Sequence, residues 1–344
     1  MNTKNNLLFA LPLLVATAAI VTPVVTPVNA HEWHWPATYP AENTLENSKL
    51  IPPTAKAFAP FKDEVGLSWD KDHLHVESNG LPSHPMMSGI KAWQQQVPFP
   101  HNYTGKQAYK IPLNPTYQEK PGELTLIGPL AIAVNGIPIF HALTQSGKDA
   151  YAGGELDRWG GHCGRADDYH YHIAPAHLQE KAGKVNPVAF ALDGYPIYGA
   201  DPSIDKPLDD CHGYMDDNGQ YRYVGNLKPP YVMSGFRGVA DLGARPRAQP
   251  MRSHLPPLRG AQITGYTGSP ATGATLTYTL GEGTNTIQYS VDKAARNLEL
   301  KAKHLGTEEI FHINRRWNYS DPIFFITRSG RRPREWPDRQ AAQE

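Results

Sequence analysis

Apolar and polar positions in this chain alternate with a period of two over several short stretches, with little of the helical spacing. Leu67-Ser68-Trp69-Asp70 and His73-Leu74-His75-Val76-Glu77-Ser78 alternate as half-buried strands do, and Asn79-Gly80 behind them is a turn signal. Two longer apolar runs resemble each other. Pro129-Leu130-Ala131-Ile132-Ala133-Val134-Asn135-Gly136-Ile137-Pro138-Ile139-Phe140 is echoed by Pro187-Val188-Ala189-Phe190-Ala191-Leu192-Asp193-Gly194-Tyr195-Pro196-Ile197-Tyr198. Each predicts a hairpin of buried strands closed by an Asn-Gly or Asp-Gly turn. The proline after each turn predicts that the returning strand lies at a sheet edge or pairs only in part. Further strands are expected at Ala274–Leu280, Thr286–Val291, Leu298–Lys303 and Glu309–Ile313.

The sharpest alternation is Tyr169-His170-Tyr171-His172. On a strand, His170 and His172 share one face and the two tyrosines the other. The echo continues, because Cys163 precedes this run and Cys211 precedes Tyr221-Arg222-Tyr223-Val224. Aligned so, Arg222 stands at His170 and Val224 at His172. The chain reads as all-β with long loops, a duplicated hairpin unit (about 124–178 and 185–238) forming a sandwich or barrel-like core. A β-domain over 65–250 would follow a leader at 31–64, with a β extension or small module at 251–327 and a mobile tail at 328–344.

Composition agrees. The 32 prolines, 30 glycines and 17 tyrosines, with 19% charged residues, describe a loop-rich β protein. Lys+Arg and Asp+Glu are 33 each, so no net charge favours nucleic acid or an anionic membrane as partner. Lys4, the apolar Leu7–Val21 and the small-x-small Val28-Asn29-Ala30 read as a secretory signal peptide over 1–30. Secretion or a periplasmic location follows, with no membrane contact after cleavage.

In that compartment Cys163 and Cys211 are expected to form a disulfide, worth about 4 kcal/mol on chain entropy. The rival is a pair of thiolate metal ligands, since His162-Cys163 and Cys211-His212 each join a cysteine to a histidine. A disulfide would bring His162 and His212 together. One pocket could then gather His162, His170, His172 and His212, with His84 or His141 nearby. Imidazoles suit a divalent transition metal such as zinc or copper. Asp168 reads first as a loop aspartate of Arg165-Ala166-Asp167-Asp168, with orientation of a ligand histidine as the alternative; Asp193 reads as a turn residue; Tyr195 and Tyr198 read as core aromatics or pocket walls. Cleavage after Ala30 would also expose His31 of His31-Glu32-Trp33-His34 as a copper-chelating N-terminus. No Gly-x-Ser-x-Gly elbow, Walker loop or dinucleotide fingerprint is present. The competing reading is an extracellular recognition module for glycans or a protein partner, with structural histidines.

Several ordered motifs resemble the YHYH-domain family of mostly secreted proteins. They are Ser78–His84, Val134-Asn135-Gly136-Ile137-Pro138, Gly161-His162-Cys163, Tyr169–His172, Ala191–Gly199, Asp209-Asp210-Cys211-His212-Gly213 and Gly235-Phe236-Arg237-Gly238. The resemblance covers roughly 65–240 and implies no established activity. Two departures stand out: Tyr221-Arg222-Tyr223-Val224 in place of a second histidine motif, and Ser234 in place of a cysteine. The latter, within this resemblance, favours pairing of Cys163 with Cys211.

Overall fold

A computed structural model describes residues 43–199, 206–248, 257–269, 273–292, 297–304, 307–315 and 324–329. The expected signal peptide, His31 and most of the expected tail lie outside these residues, as does the leader before residue 43.

The protein is β-rich, with little helix. β1 (Asn43–Thr44), β2 (Gly66–Trp69), β3 (His73–Glu77) and β4 (Tyr109–Pro112) form an antiparallel sheet in chain order. Alternation in β3 buries Leu74 and Val76 and leaves its histidines half-buried, as the sequence pattern predicts. The short helix α1 (Pro53–Phe58) and the 3-10 turn Ala59–Phe61 insert Phe58 and Phe61 into the core, where Phe58 stacks on Phe190. Then comes β5 (Tyr117–Gly122).

The centre is one curled eight-stranded sheet. Its strands are β6 (Ala131–Ala133), β7 (Pro138–Ile139), β8 (Gly161–Cys163), β9 (Tyr169–Tyr171), β10 (Ala189–Ala191), β11 (Pro196–Tyr198), β12 (Gly213–Met215) and β13 (Tyr221–Val224). The order β12-β13-β11-β10-β6-β7-β9-β8 reads the same way from either end. Each unit supplies an inner hairpin, a parallel step and an outer hairpin. The two units meet antiparallel at β6 and β10, with Ile132 opposite Phe190, so the sheet has a local two-fold axis there. The internal repeat seen in the sequence is therefore a repeat of structure.

The strand after each turn is not an edge: β7 lies between β6 and β9, and β11 between β10 and β13, and of the two alternatives partial pairing holds, since β7 meets β9 only at Ile139. Proline is tolerated because it opens the strand, and pairing resumes where the Phe140 amide donates to the Tyr171 carbonyl at 2.8 Å. The cysteines are also not equivalent and not bridged. Cys163 lies on β8 and Cys211 just before β12, the two outer edges of the sheet, and both are buried thiols. The backbone equivalences are Gly161 with Gly213 and Tyr171 with Tyr223, an offset that puts Met215 at Cys163 and Trp159 at Cys211.

β14 (Phe236–Gly238) returns to pair with β5. An antiparallel meander follows: β15 (Gln262–Ser269), β16 (Gly273–Leu280), β17 (Gly283–Asp292), β18 (Asn297–His304), β19 (Thr307–Arg315) and β20 (Phe324–Ser329). Its inward aromatics join the main core. Tyr266 donates to the Pro98 carbonyl at 3.1 Å, and Trp93 meets Tyr278 edge-on.

Candidate metal centre

The β8–β9 hairpin builds the site. His162 stands directly across from His170, and His172 follows one residue past β9. The two-residue period puts His170 and His172 on one face, 3% and 4% exposed. The Nε2 atoms of His170 and His172 lie 3.1 Å apart, and those of His172 and His162 2.9 Å apart. All three offer ligand atoms close enough together to hold one metal ion.

What makes the arrangement informative is the other nitrogen of each ring. His170 Nδ1 meets the Asp168 carbonyl at 2.9 Å, and His172 Nδ1 the His141 carbonyl at 2.5 Å. His162 gives a hydrogen bond to the Glu155 backbone, with the Glu155 carboxylate 3.9 Å from its Nδ1. A carbonyl oxygen only accepts, so Nδ1 of His170 and Nδ1 of His172 each carry a proton, and the Nε2 atoms of the three rings converge. Adding a second proton to a ring is opposed: burial, and then the neighbouring imidazoles, hold His162 well below the usual histidine range, and burial brings His172 down to about 3.

Phe140, next to His141, stacks flat on His170 with ring centroids 3.8 Å apart. Phe140 and His141 also line a small apolar cleft with Ile139, Pro230, Val232 and Met233. Asp168 faces His170 chiefly through its carbonyl, with its carboxylate 3.4 Å from Nδ1.

The remaining sequence candidates lie elsewhere. His141 contributes its carbonyl, while its ring accepts from the Leu143 amide. His212 is at the far edge of the sheet, bonded to the Val224 carbonyl at 2.5 Å and to Asn226 at 2.9 Å. It occupies the backbone position of Gly160: both have positive φ, and both carbonyls accept from the residue after the Tyr-x-Tyr run. His84 sits on the tyrosine face of β9, its Nε2 2.6 Å from the Tyr171 hydroxyl.

That tyrosine face is a second polar layer. Tyr169 donates to the Asp157 carboxylate at 2.8 Å, and Asp157 also accepts from the Met87, Trp159 and Gly161 amides. Gly161 is required here, since a Cβ would lie 2.5 Å from the Tyr169 oxygen. The second half repeats the device: Tyr221 donates to Asp209, and a Cβ on Gly213 would lie 2.3 Å from the Tyr221 oxygen. Asp193, expected as a turn residue, also accepts from the Tyr223 hydroxyl at 2.6 Å; its counterpart Asn135 donates to Tyr171 at 3.1 Å. Tyr195 is buried in the core, and half-buried Tyr198 lies under Arg222.

Sequence reasoning missed Asp157, Glu155, Phe140 and His177 as parts of this region. Asp157 was findable: Asp157-Gly161-Tyr169 and Asp209-Gly213-Tyr221 have the same spacing, and aligning on the cysteines concealed it. His177 carries no comparable signal.

Among the described residues, no helix is long and apolar enough to cross a membrane. No curated protein and no solved structure matches the chain. Residues 108–206 match the family model described as YHYH protein, a span that contains β6 to β11 and all three convergent histidines. The Tyr-His-Tyr-His strand that names the family is thus the strand that sets histidines on one face and tyrosines on the other, and this chain carries a YHYH-family domain.

Proposed function

We propose that this is a secreted protein that binds a divalent transition metal, zinc or copper, through His162, His170 and His172. The observation that carries this reading is the convergence of three imidazole Nε2 atoms whose orientation is fixed by acceptors behind the rings. A tetrahedral ion about 2.0–2.1 Å from each nitrogen needs nitrogens roughly 3.3–3.4 Å apart. Spacings of 2.9 and 3.1 Å reach that with a few tenths of an ångström of outward ring movement. Three neutral nitrogen donors suit zinc or copper over the oxygen-seeking magnesium and calcium. Once bound, such an ion would offer Lewis-acid or redox chemistry at its remaining position. The protein's part is to aim the three imidazoles, to keep His162 and His172 neutral, and to shield the site. The signal-like N-terminus supports an extracellular or periplasmic setting.

The test is elemental analysis of the purified mature protein beside His170→Ala and His172→Ala. One equivalent of metal in the wild type, lost in both variants, is the expected result. Equal metal-free spectra in all three would overturn it and favour a recognition module for a glycan or protein partner.

A further inference from the structure

The tyrosine face of β9 carries a cluster that the histidine trio does not use. The Tyr171 hydroxyl is approached by His84 Nε2 at 2.6 Å, His177 Nε2 at 3.4 Å and Asn135 Nδ2 at 3.1 Å. His84 comes from a loop and His177 from the 3-10 turn Ala176–Leu178, and both are half-buried. Their ring centroids are 4.7 Å apart, the same separation as His162 and His172 in the trio, and their planes are close to perpendicular. His84 Nδ1 meets the Pro85 carbonyl at 2.7 Å, which fixes its lone pair on Nε2, toward the phenol oxygen. Trp159 stacks on the outer face of His84 and holds that ring in place.

The equivalent tyrosine shows that this is not what the fold alone demands. Tyr223 commits its hydroxyl to the Asp193 carboxylate and accepts the Arg237 amide, so main chain and a carboxylate close that position. In the first half the same phenol, itself fully buried, instead meets two half-buried imidazoles.

We propose that His84 Nε2, His177 Nε2 and the Tyr171 phenol oxygen form a second transition-metal site, of the two-nitrogen, one-phenolate kind that suits Cu(II). Imidazole is a good copper ligand, and a phenolate oxygen supplies the negative charge that the three-histidine set lacks. On binding, the Tyr171 O–H bond breaks, its proton leaves to solvent, and an oxygen–copper bond forms. The oxidation state of the metal does not change. A bound cation favours the phenolate over the phenol at that oxygen. Asn135 steadies the oxygen by donating to it. The site stands independently of the trio, since none of its donors is shared.

The experiment is titration of the full mature chain with copper(II) sulfate, followed by visible absorption and by copper content after desalting. The expected result is two coppers per chain and a phenolate-to-copper charge-transfer band in the visible. Tyr171→Phe should abolish the band, and His177→Gln should remove one copper. His162→Gln should leave the band in place while lowering copper content. A wild type without the band, or a band that survives Tyr171→Phe, overturns the proposal. If Tyr171→Phe does not fold, His177→Gln decides alone, because that ring is half-exposed: unchanged copper content overturns the site.

Discussion

The two outer hairpins of the central sheet share a backbone and differ in what they present on one face. On the tyrosine side the copies agree: Asp157 with Tyr169, and Asp209 with Tyr221, make the same hydroxyl-to-carboxylate bond at 2.8 Å. On the other side they diverge. Where the first half has His162, His170, His172 and Phe140, the second has Tyr214, Arg222, Val224 and Tyr198. Phe140 stacks on His170; Tyr198 lies under Arg222, whose guanidinium pairs with Asp216. The aspartate–tyrosine layer is thus scaffold, present in both copies, and the histidines stand on one copy alone. The comparison also explains why His212 stays away from the trio, since its backbone position belongs to a turn glycine in the other half.

The largest expected effect comes from making the first half resemble the second. His170→Arg with His172→Val should abolish metal retention while leaving the far-ultraviolet circular dichroism of the sheet intact. Metal retained by that variant, measured by elemental analysis, would break the assignment of the two copies.

Next in size is the scaffold. Asp157→Ala strands a buried phenol and three amides and should cost about 3–5 kcal/mol in urea unfolding. Asp209 is more exposed and also paired with Arg237, so Asp209→Ala should cost less, about 1–3 kcal/mol. Equal losses would mean that burial does not distinguish the halves.

The third expectation concerns pH dependence. Burial lowers His84 to about 4, and His172 and His177 to about 3, against about 6.5 in the unfolded chain. Below pH 6.5 the unfolded state binds more protons, so metal-free stability should fall as pH drops from about 6.5 toward 3–4, and level off above that window. Each such imidazole contributes a slope of up to about 1.4 kcal/mol per pH unit. His84→Gln with His177→Gln should flatten the curve; an unchanged slope, read from urea midpoints across this range, would contradict the burial argument.

Much of this was legible in the chain. The Asn-Gly and Asp-Gly hairpins, the Tyr-His-Tyr-His alternation and the strands after residue 273 follow from period-two patterning, which local sequence carries. The pairing of His170 with His172 needed nothing more than a strand. The contribution of His162 was legible as proximity, but the route assigned to it, a disulfide, is absent; cross-strand register with His170 does the work instead. What stayed illegible was main chain. The carbonyls of Asp168, His141 and Glu155 have no sequence signature, and only topology delivers them behind the rings. The proline rule left β7 and β11 either at an edge or partly paired; they are partly paired inside the sheet, because these prolines are first residues.

Those carbonyls have one more consequence. A substitution can delete a ligand side chain, but no side-chain change deletes a peptide oxygen. The carbonyl that aims His170 belongs to a turn bond, Gly164 amide to Asp168 oxygen, which the other copy repeats between Asp216 and Gln220. The aiming oxygen is therefore inherited with the backbone and outlasts the histidine it serves. Exchanging the side chains on this face therefore leaves both the carbonyl and the strands where they are.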